Sequence, residues 1–140
     1  MPYLKTYNLF ISHAWRYDDD YYRLVDLLRN AANFSWHNYS VPKHDPVIDP
    51  DSYNGSQILI SELDQQIKPV HCVLVLGGMY AAYSYWIKKE IEIAQGYDKP
   101  IVAIYPWHQQ NMPVMVQLAA VKIVNWCTDS IVDAIRAYSL

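Results

Sequence analysis

Two nearly continuous apolar stretches constrain the fold of this chain more than any other feature. They are residues 70–76 (VHCVLVL) and residues 100–105 (PIVAIY). A strand without polar alternation has both faces covered, as inner strands of a parallel sheet do when helices pack on each side. The two stretches therefore predict buried inner strands in a domain of mixed helices and strands.

Weaker strand patterns and helical patterns alternate along the rest of the chain. Strands are predicted at residues 7–12, 34–39 and 122–124, and helices at residues 18–32, 55–67, 81–95, 114–118 and 128–137. Alternating strands and helices are typical of βαβ units with right-handed crossovers. The sequence thus predicts an α/β, three-layer, flavodoxin-like fold with a five-stranded, mainly parallel sheet, and residues 1–140 fit a single domain.

Composition and charge narrow the classes of protein that the chain can belong to. Apolar residues make up 52% of the sequence and charged residues 18%, which suits a packed core and argues against disorder. The formal net charge of -3 indicates no broad basic surface, so we expect no nucleic-acid partner. No stretch approaches the roughly 20 apolar residues of a membrane span, and the N-terminus lacks a signal-peptide pattern. We therefore expect no membrane association and a cytoplasmic location.

Several kinds of site are disfavoured by motifs that the chain lacks. The histidines and cysteines show no metal-binding spacing, so we expect neither a metal nor a bound cofactor. Cys72 and Cys127 lie among apolar residues and are expected to be buried free thiols. A serine hydrolase is disfavoured because no G-x-S-x-G motif is present. A phospho-receiver domain would need an aspartate where the third strand ends, and this chain has Leu76-Gly77-Gly78 there.

The carboxyl ends of parallel strands are where ligands bind in sheets of this kind. Residues 12–15 (SHAW), 77–78 and 106–107 follow predicted strands and are expected to lie along that rim. Residues 41–54 contain three prolines and three aspartates without periodicity, which predicts a long loop. A loop of this length in a compact domain is more often functional than idle.

The segment SYWIKKEIEIAQG, residues 84–96, contains two glutamates that a helix would separate. At about 100° per residue, Glu92 falls in the middle of the polar arc. Glu90 falls inside the apolar arc, between Tyr83 and Tyr97 and one turn after Trp86. Glu92 is therefore predicted to face solvent, and Glu90 is predicted to face the interior.

A carboxylate that faces a core is unfavourable unless it is paired or lies at a cleft. Two interpretations of Glu90 are compatible with the residues alone. In the first, Glu90 is a structural partner of a backbone amide or a tyrosine hydroxyl. In the second, it lies in the apolar wall of a cleft and meets positive charge that develops on a substrate.

Three blocks of the chain resemble the Toll/interleukin-1 receptor (TIR) domain family. Residues 8–13 (NLFISH) resemble the first strand of TIR domains, and residues 99–104 (KPIVAI) resemble a later strand. Residues 84–91 (SYWIKKEI) resemble the helix that carries the catalytic glutamate four residues after a tryptophan. The order and spacing of the blocks are most similar to the divergent bacterial TIR-like branch, which includes the Thoeris anti-phage defence system. Residues 41–54 depart from the loop that helps to hold the nucleotide in better-known members.

The resemblance implies an enzyme of the NAD glycohydrolase or ADP-ribosyl cyclase type, with NAD as the substrate and Glu90 as the catalytic residue. It further implies self-association and a cyclic ADP-ribose-type product that signals to a separate effector during anti-phage defence. The alternative function, from a different class, is a non-catalytic TIR-like module that works through protein contacts.

Five further residues are candidates for the substrate site. Ser12, His13 and Trp15 are expected on the rim after the first strand, where they could contact NAD. Tyr83 and Trp86 could line the pocket and exclude water, which favours cyclisation over hydrolysis. Structural alternatives remain open: His13 and Trp15 could organise the loop, and Trp86 could belong to the core.

Overall fold

The computed structural model describes residues 5–12, 19–40, 53–76, 80–105, 112 and 114–139, with only the backbone described at 19–20, 53–59 and 80–87. Strands and helices alternate throughout this part of the chain, as predicted. In chain order they are β1 (Thr6–Ile11), α1 (Asp19–Arg29), β2 (Ser35–Asn38), α2 (Tyr53–Ile67), β3 (Cys72–Leu76), α3 (Tyr80–Gly96), β4 (Ile101–Ile104), α4 (Val114–Ala119), β5 (Lys122–Val124) and α5 (Thr128–Tyr138).

The strands form one parallel sheet in the order β2-β1-β3-β4-β5. Leu9 of β1 lies opposite Asn38 of β2 on one side and opposite Cys72 of β3 on the other. β3 and β4 pair from Val73–Ile101 to Leu76–Ile104. The chain is thus an α/β domain of flavodoxin-like arrangement, which confirms the predicted fold class.

Differences in burial explain why the strands have different patterns of apolar and polar residues in the sequence. Every residue of β3 and of β4 is buried, because these inner strands have helices on both faces. β2 lies at the sheet edge, and its residues alternate between exposed and half-buried. The two apolar stretches of the sequence are therefore two of the three inner strands, β3 and β4, as predicted.

Helices pack on both faces of the sheet in two layers. α1 contacts α5 on one face, and α2 contacts α3. Tyr7 of β1 stacks on Phe34 at a centroid distance of 5.5 Å, and Arg136 of α5 covers Phe34 at 5.7 Å. The odd-numbered residues of β1, from Tyr7 to Ile11, therefore face the α1–α5 layer. Phe10 faces the layer of α2 and α3.

Some boundaries differ from the predicted ones for identifiable reasons. α2 begins at Tyr53, so residues 53–54 belong to the helix rather than to the predicted loop, whose residues 41–52 lie outside the described part. β3 begins at Cys72 rather than at residue 70, because the N–H of Val70 turns back to the carbonyl of Ile67 at 3.1 Å. Among the described helices, none combines the length and apolar character that a membrane crossing requires.

The prediction that both cysteines are buried is wrong for one of them. Cys72 is fully buried in β3, whereas Cys127 is exposed. Cys127 directly precedes α5 in extended backbone conformation. Apolar neighbours in the sequence did not bury it, because a residue at the surface end of a helix is covered only if another element packs over it.

Candidate active site

The two glutamates of α3 lie in opposite environments, as the helical periodicity predicts. Glu90 is completely buried, at 0% exposure. The Glu92 side chain is 46% exposed, and its carboxylate lies 3.7 Å from the ammonium group of Lys89. A surface ion pair of this kind contributes little to stability. The predicted orientations of both glutamates are confirmed, and the catalytic role of Glu90 stays a prediction.

Glu90 lies on the side of α3 that contacts α2. Tyr97 follows Glu90 by two helical turns on the same side of the helix axis. The Tyr97 hydroxyl donates a hydrogen bond shared between the two carboxylate oxygens of Asp64 in α2, each 2.9 Å away. This bond raises the pKa of Tyr97, so the phenol stays protonated and continues to donate. The contact ties the end of α3, and with it the turn that carries Glu90, to α2.

The inner side of α2 contains a second buried polar side chain. Gln66 is 5% exposed; fully buried Leu63 lies about one helical turn before it, and fully buried Ile67 directly follows it. Glu90 and Gln66 are the buried polar side chains that the described parts of α2 and α3 contain. Since charges interact more strongly where water is excluded, a carboxylate in this layer acts more strongly on a nearby cation than one at the surface.

Ser12 lies at the carboxyl end of β1, next to β3. Its N–H donates to the carbonyl of Leu74 at 2.8 Å, so the β1–β3 hydrogen-bond ladder continues through Ser12. Because side chains alternate along a strand, Ser12 faces the same side of the sheet as Phe10. That is the side covered by α2 and α3, which carries Glu90. The structure therefore brings Ser12 and Glu90 to one face of the sheet.

The hydroxyl of Ser12 is a buried group with unused hydrogen-bonding capacity in the described chain. Ser12 is 0% exposed, and its Oγ makes no hydrogen bond to any residue within the described ranges. Buried hydroxyls almost always find a partner, because leaving one unmatched is unfavourable. A polar ligand atom at this end of β1 would supply that partner.

The structure does not describe the side chains of the remaining predicted site residues. His13 and Trp15 lie outside the described residues. Tyr83 and Trp86 lie in the helical backbone of α3, two turns and one turn before Glu90, and the structure describes only their backbone. Their predicted contacts with NAD stay predictions.

Two open grooves are formed by described residues, and neither is lined by Glu90 or Ser12. A groove of about 410 Å³ lies between α3 and α4, and one of about 460 Å³ lies beside β5 and α5. The first is lined by Ile91, Gln95, Val114, Met115, Leu118 and Ala119. Because neither groove contains the predicted catalytic residue, neither is the candidate active site.

Sequence patterns missed two polar residues of α2. Gln66 occurs in a helical segment as one of two adjacent glutamines, and only packing distinguishes it from Gln65. Asp64 carries no motif, although its partner Tyr97 shares the side of α3 on which Glu90 lies. Within the described ranges, no three His, Cys, Asp or Glu side chains come together as a metal site.

Comparison with known proteins adds the family. A sequence profile described as "Thoeris protein ThsB, TIR-like domain" matches residues 10–111, which run from β1 past β4 and include Glu90. No curated protein matches the chain significantly. The match covers well over half of the 140 residues, and the sheet order agrees with it. The chain therefore belongs to the TIR-like domain family of the Thoeris protein ThsB, a family with a role in anti-phage defence.

Proposed function

We propose that the protein cleaves NAD between nicotinamide and ribose and that Glu90 is the catalytic carboxylate. The observation that carries the proposal is the complete burial of Glu90 in the helix layer that also covers Ser12. Membership of the ThsB family supports it, because TIR-like domains often cleave NAD. Burial of a carboxylate is unfavourable for folding, which is expected where the group has a chemical task.

The reaction suits a single carboxylate. When the bond between ribose C1′ and the nicotinamide nitrogen breaks, the electron pair leaves with the nitrogen and neutralises the pyridinium. The leaving group therefore needs no proton from a general acid, in contrast to ordinary glycosidases. Positive charge develops on the ribose ring in the transition state. A carboxylate held in a water-poor layer stabilises that charge or holds the ribose hydroxyls.

The identity of the attacking atom decides the product. Attack of water on C1′, followed by loss of one proton, yields ADP-ribose, whereas attack by an atom of the same nucleotide yields a cyclic isomer. We assign the cyclic product because aromatic residues are concentrated near Glu90 in the sequence, with Tyr83 and Trp86 in the same helix. Such side chains would exclude water from the site. The cyclic nucleotide would then signal to a separate effector protein.

Ser12 is proposed as a substrate-binding residue. Its buried hydroxyl could both donate to and accept from a ribose hydroxyl or phosphate oxygen at the carboxyl end of β1. His13 and Trp15 follow within three residues of Ser12 in the sequence and are proposed to contact the nucleotide as well. Self-association is part of the proposal, since a small domain can require a second copy to complete its site.

The test uses the two glutamates as a matched pair. Purified wild-type protein, Glu90→Gln and Glu92→Gln are incubated with NAD, and released nicotinamide is measured over time. We expect Glu90→Gln to lower the rate by about 100-fold or more, as loss of transition-state charge stabilisation does. Glu92→Gln should stay within twofold of wild type, because Glu92 is solvated. Equal loss in both variants would contradict the role of Glu90.

A second candidate function rests on a separate surface. Val114 and Leu118 of α4 are 68% and 83% exposed, which gives the short helix an apolar outer side. Apolar side chains grouped at a surface are typical of protein contacts. A non-catalytic interaction module is therefore the alternative. It would be favoured if no form of the protein released nicotinamide, including in crowded solutions that promote assembly.

A further inference from the structure

Three polar side chains form a closed ring of hydrogen bonds beside the end of β2. The Asn38 amide nitrogen lies 3.0 Å from the Tyr21 hydroxyl, and the Tyr21 hydroxyl lies 3.1 Å from Ser40 Oγ. Ser40 Oγ donates to Asn38 Oδ1, which closes the ring. The Ser40 N–H also donates to Asn38 Oδ1, at 2.9 Å.

The direction of each bond in the ring follows from counting protons. The Ser40 hydroxyl has one proton, which it gives to Asn38 Oδ1. Tyr21 must therefore donate to Ser40 and accept from the Asn38 amide. Each hydroxyl of the ring then donates one bond and accepts one, and bonds arranged in such a sequence strengthen one another.

The ring is buried and specific in its geometry. Tyr21 is 3% exposed and Ser40 is 0% exposed. Apolar side chains of similar volume could supply comparable stability at these positions, so stability alone does not require a polar ring. What a fully connected polar ring adds is a single arrangement of the segments that carry its members.

The members of the ring lie where two segments enter and leave the carboxyl edge of the sheet. Tyr21 is in the first turn of α1, just after residues 13–18, which connect β1 to α1. Ser40 lies two residues after Asn38, the last residue of β2. The N–H of Tyr39 donates to the carbonyl of Leu9 at 2.9 Å, so the chain stays tied to β1 up to the ring. Ligands bind at this edge in sheets of this topology.

We propose that Tyr21, Asn38 and Ser40 are positioning residues for NAD binding. The ring holds the start of α1 and the end of β2 together at the carboxyl edge of the sheet, where ligands bind in sheets of this topology. The inference rests on the proposed NAD-cleaving function. Asn38 and Ser40 form hydrogen bonds with Tyr21 of α1 and therefore lie on the α1 side of the sheet. Glu90 lies on the α2–α3 side. The ring is therefore expected to act on binding and not on the chemical step.

The test separates binding from chemistry and from general destabilisation. Tyr21→Phe and Ser40→Ala each open the ring by removing one oxygen atom. Phe34→Leu is the matched control: it removes the stacking contact with Tyr7 at the amino end of β2, away from the ring. KM and kcat for nicotinamide release from NAD are measured for the folded fraction of each protein, together with the unfolding temperature.

We expect both ring variants to raise KM at least fivefold and to keep kcat within twofold of wild type. A double variant with both Tyr21→Phe and Ser40→Ala should raise KM no more than either single variant does, because one substitution already opens the ring. Phe34→Leu should lower the unfolding temperature and leave KM and kcat within twofold.

Other outcomes overturn the inference and can be told apart. An unchanged KM in Tyr21→Phe and Ser40→Ala, with an active wild type, would reject the ring as a positioning device and leave the proposed function intact. A fall in kcat at constant KM, or a Tyr21→Phe protein that does not fold, would reject it too. A wild type without nicotinamide release would reject the proposed function and this inference together.

Discussion

At the scale of single residues, burial separates side chains that the sequence presents as equivalent. Glu90 and Glu92 are two residues apart, yet one is enclosed and the other is paired with Lys89 at the surface. The periodicity of a helix was enough to separate them. Cys72 and Cys127 are a second such pair, and there the sequence did not predict which thiol is exposed.

The two thiols are predicted to differ in reactivity. Burial raises the pKa of the Cys72 thiol to about 12, so it is both enclosed and protonated at neutral pH. The backbone N–H and the side chain of Ser130 lower the pKa of the exposed Cys127 thiol. Since the thiolate is the reactive form, iodoacetamide should modify Cys127 and spare Cys72 in the native protein.

Mass spectrometry of the native and the denatured protein tests this difference. Denaturation should make both thiols accessible, and Cys127→Ser should abolish labelling of the native protein. Native labelling of Cys72 at a rate similar to that of Cys127 would show that β3 opens far more readily than its burial indicates.

At the scale of elements, side chains extend the pairing of strands beyond the regular ladder. His71 precedes β3, and its Nδ1 accepts the N–H of Asn8 at 2.9 Å. The backbone N–H of His71 donates to the Asn8 carbonyl at 2.7 Å. His71 therefore joins the start of β3 to β1 with both backbone and side chain. Tyr97 and Asp64 join α3 to α2 in a comparable way.

His71 is predicted to make stability depend on pH. Burial, followed by the charges of Lys5 and Lys99, lowers the pKa of His71 below its ordinary value of 6.5. The unfolded chain therefore binds the proton more readily than the folded one. The stabilisation is complete above pH 6.5 and is lost as the pH falls through the lower pKa of the folded state.

Urea unfolding at pH 5 and at pH 7.5 measures this effect. His71→Asn is the control, because its side-chain oxygen can accept the same N–H but does not titrate in this range. The difference in unfolding free energy between the two pH values should be smaller in His71→Asn than in wild type. Equal differences would assign the pH dependence to other groups.

At the scale of the whole molecule, the effect of a substitution on stability depends on whether the side chain lies in the core or at the surface. Leu74 lies in the middle of β3 with 0% exposure, and Val114 at the start of α4 is 68% exposed. Deleting buried methyl groups leaves a cavity that the surrounding side chains only partly fill. Removing an exposed side chain leaves none.

Leu74→Ala is predicted to lower the free energy of unfolding by about 2–5 kcal/mol. Val114→Ala should change it by less than about 0.5 kcal/mol, as surface substitutions usually do. Denaturant unfolding of both variants and the wild type compares the two positions directly. A loss in Val114→Ala as large as that in Leu74→Ala would mean that the α4 face is covered in solution, for example by a second copy.

Much of the fold follows from the sequence because its signals are local. The continuous apolar runs predicted β3 and β4, and helical periodicity predicted α1 to α5 within a few residues. The orientation of Glu90 followed from the same periodicity. The ring of Tyr21, Asn38 and Ser40 could not be predicted from the sequence, since none of the three residues belongs to a motif. Their hydrogen bonds join the start of α1 to the end of β2.

The sequence by itself determined which segments are strands and helices, and which side of α3 each glutamate occupies. Both are set by the side-chain period of one element, and a period can be read within a dozen residues. Only the tertiary structure decided that Ser12 faces the layer of Glu90, that Cys127 is exposed, and that Tyr97 holds α3 to α2. These depend on strand register and on which helix covers which face, and so on contacts between residues far apart in the chain.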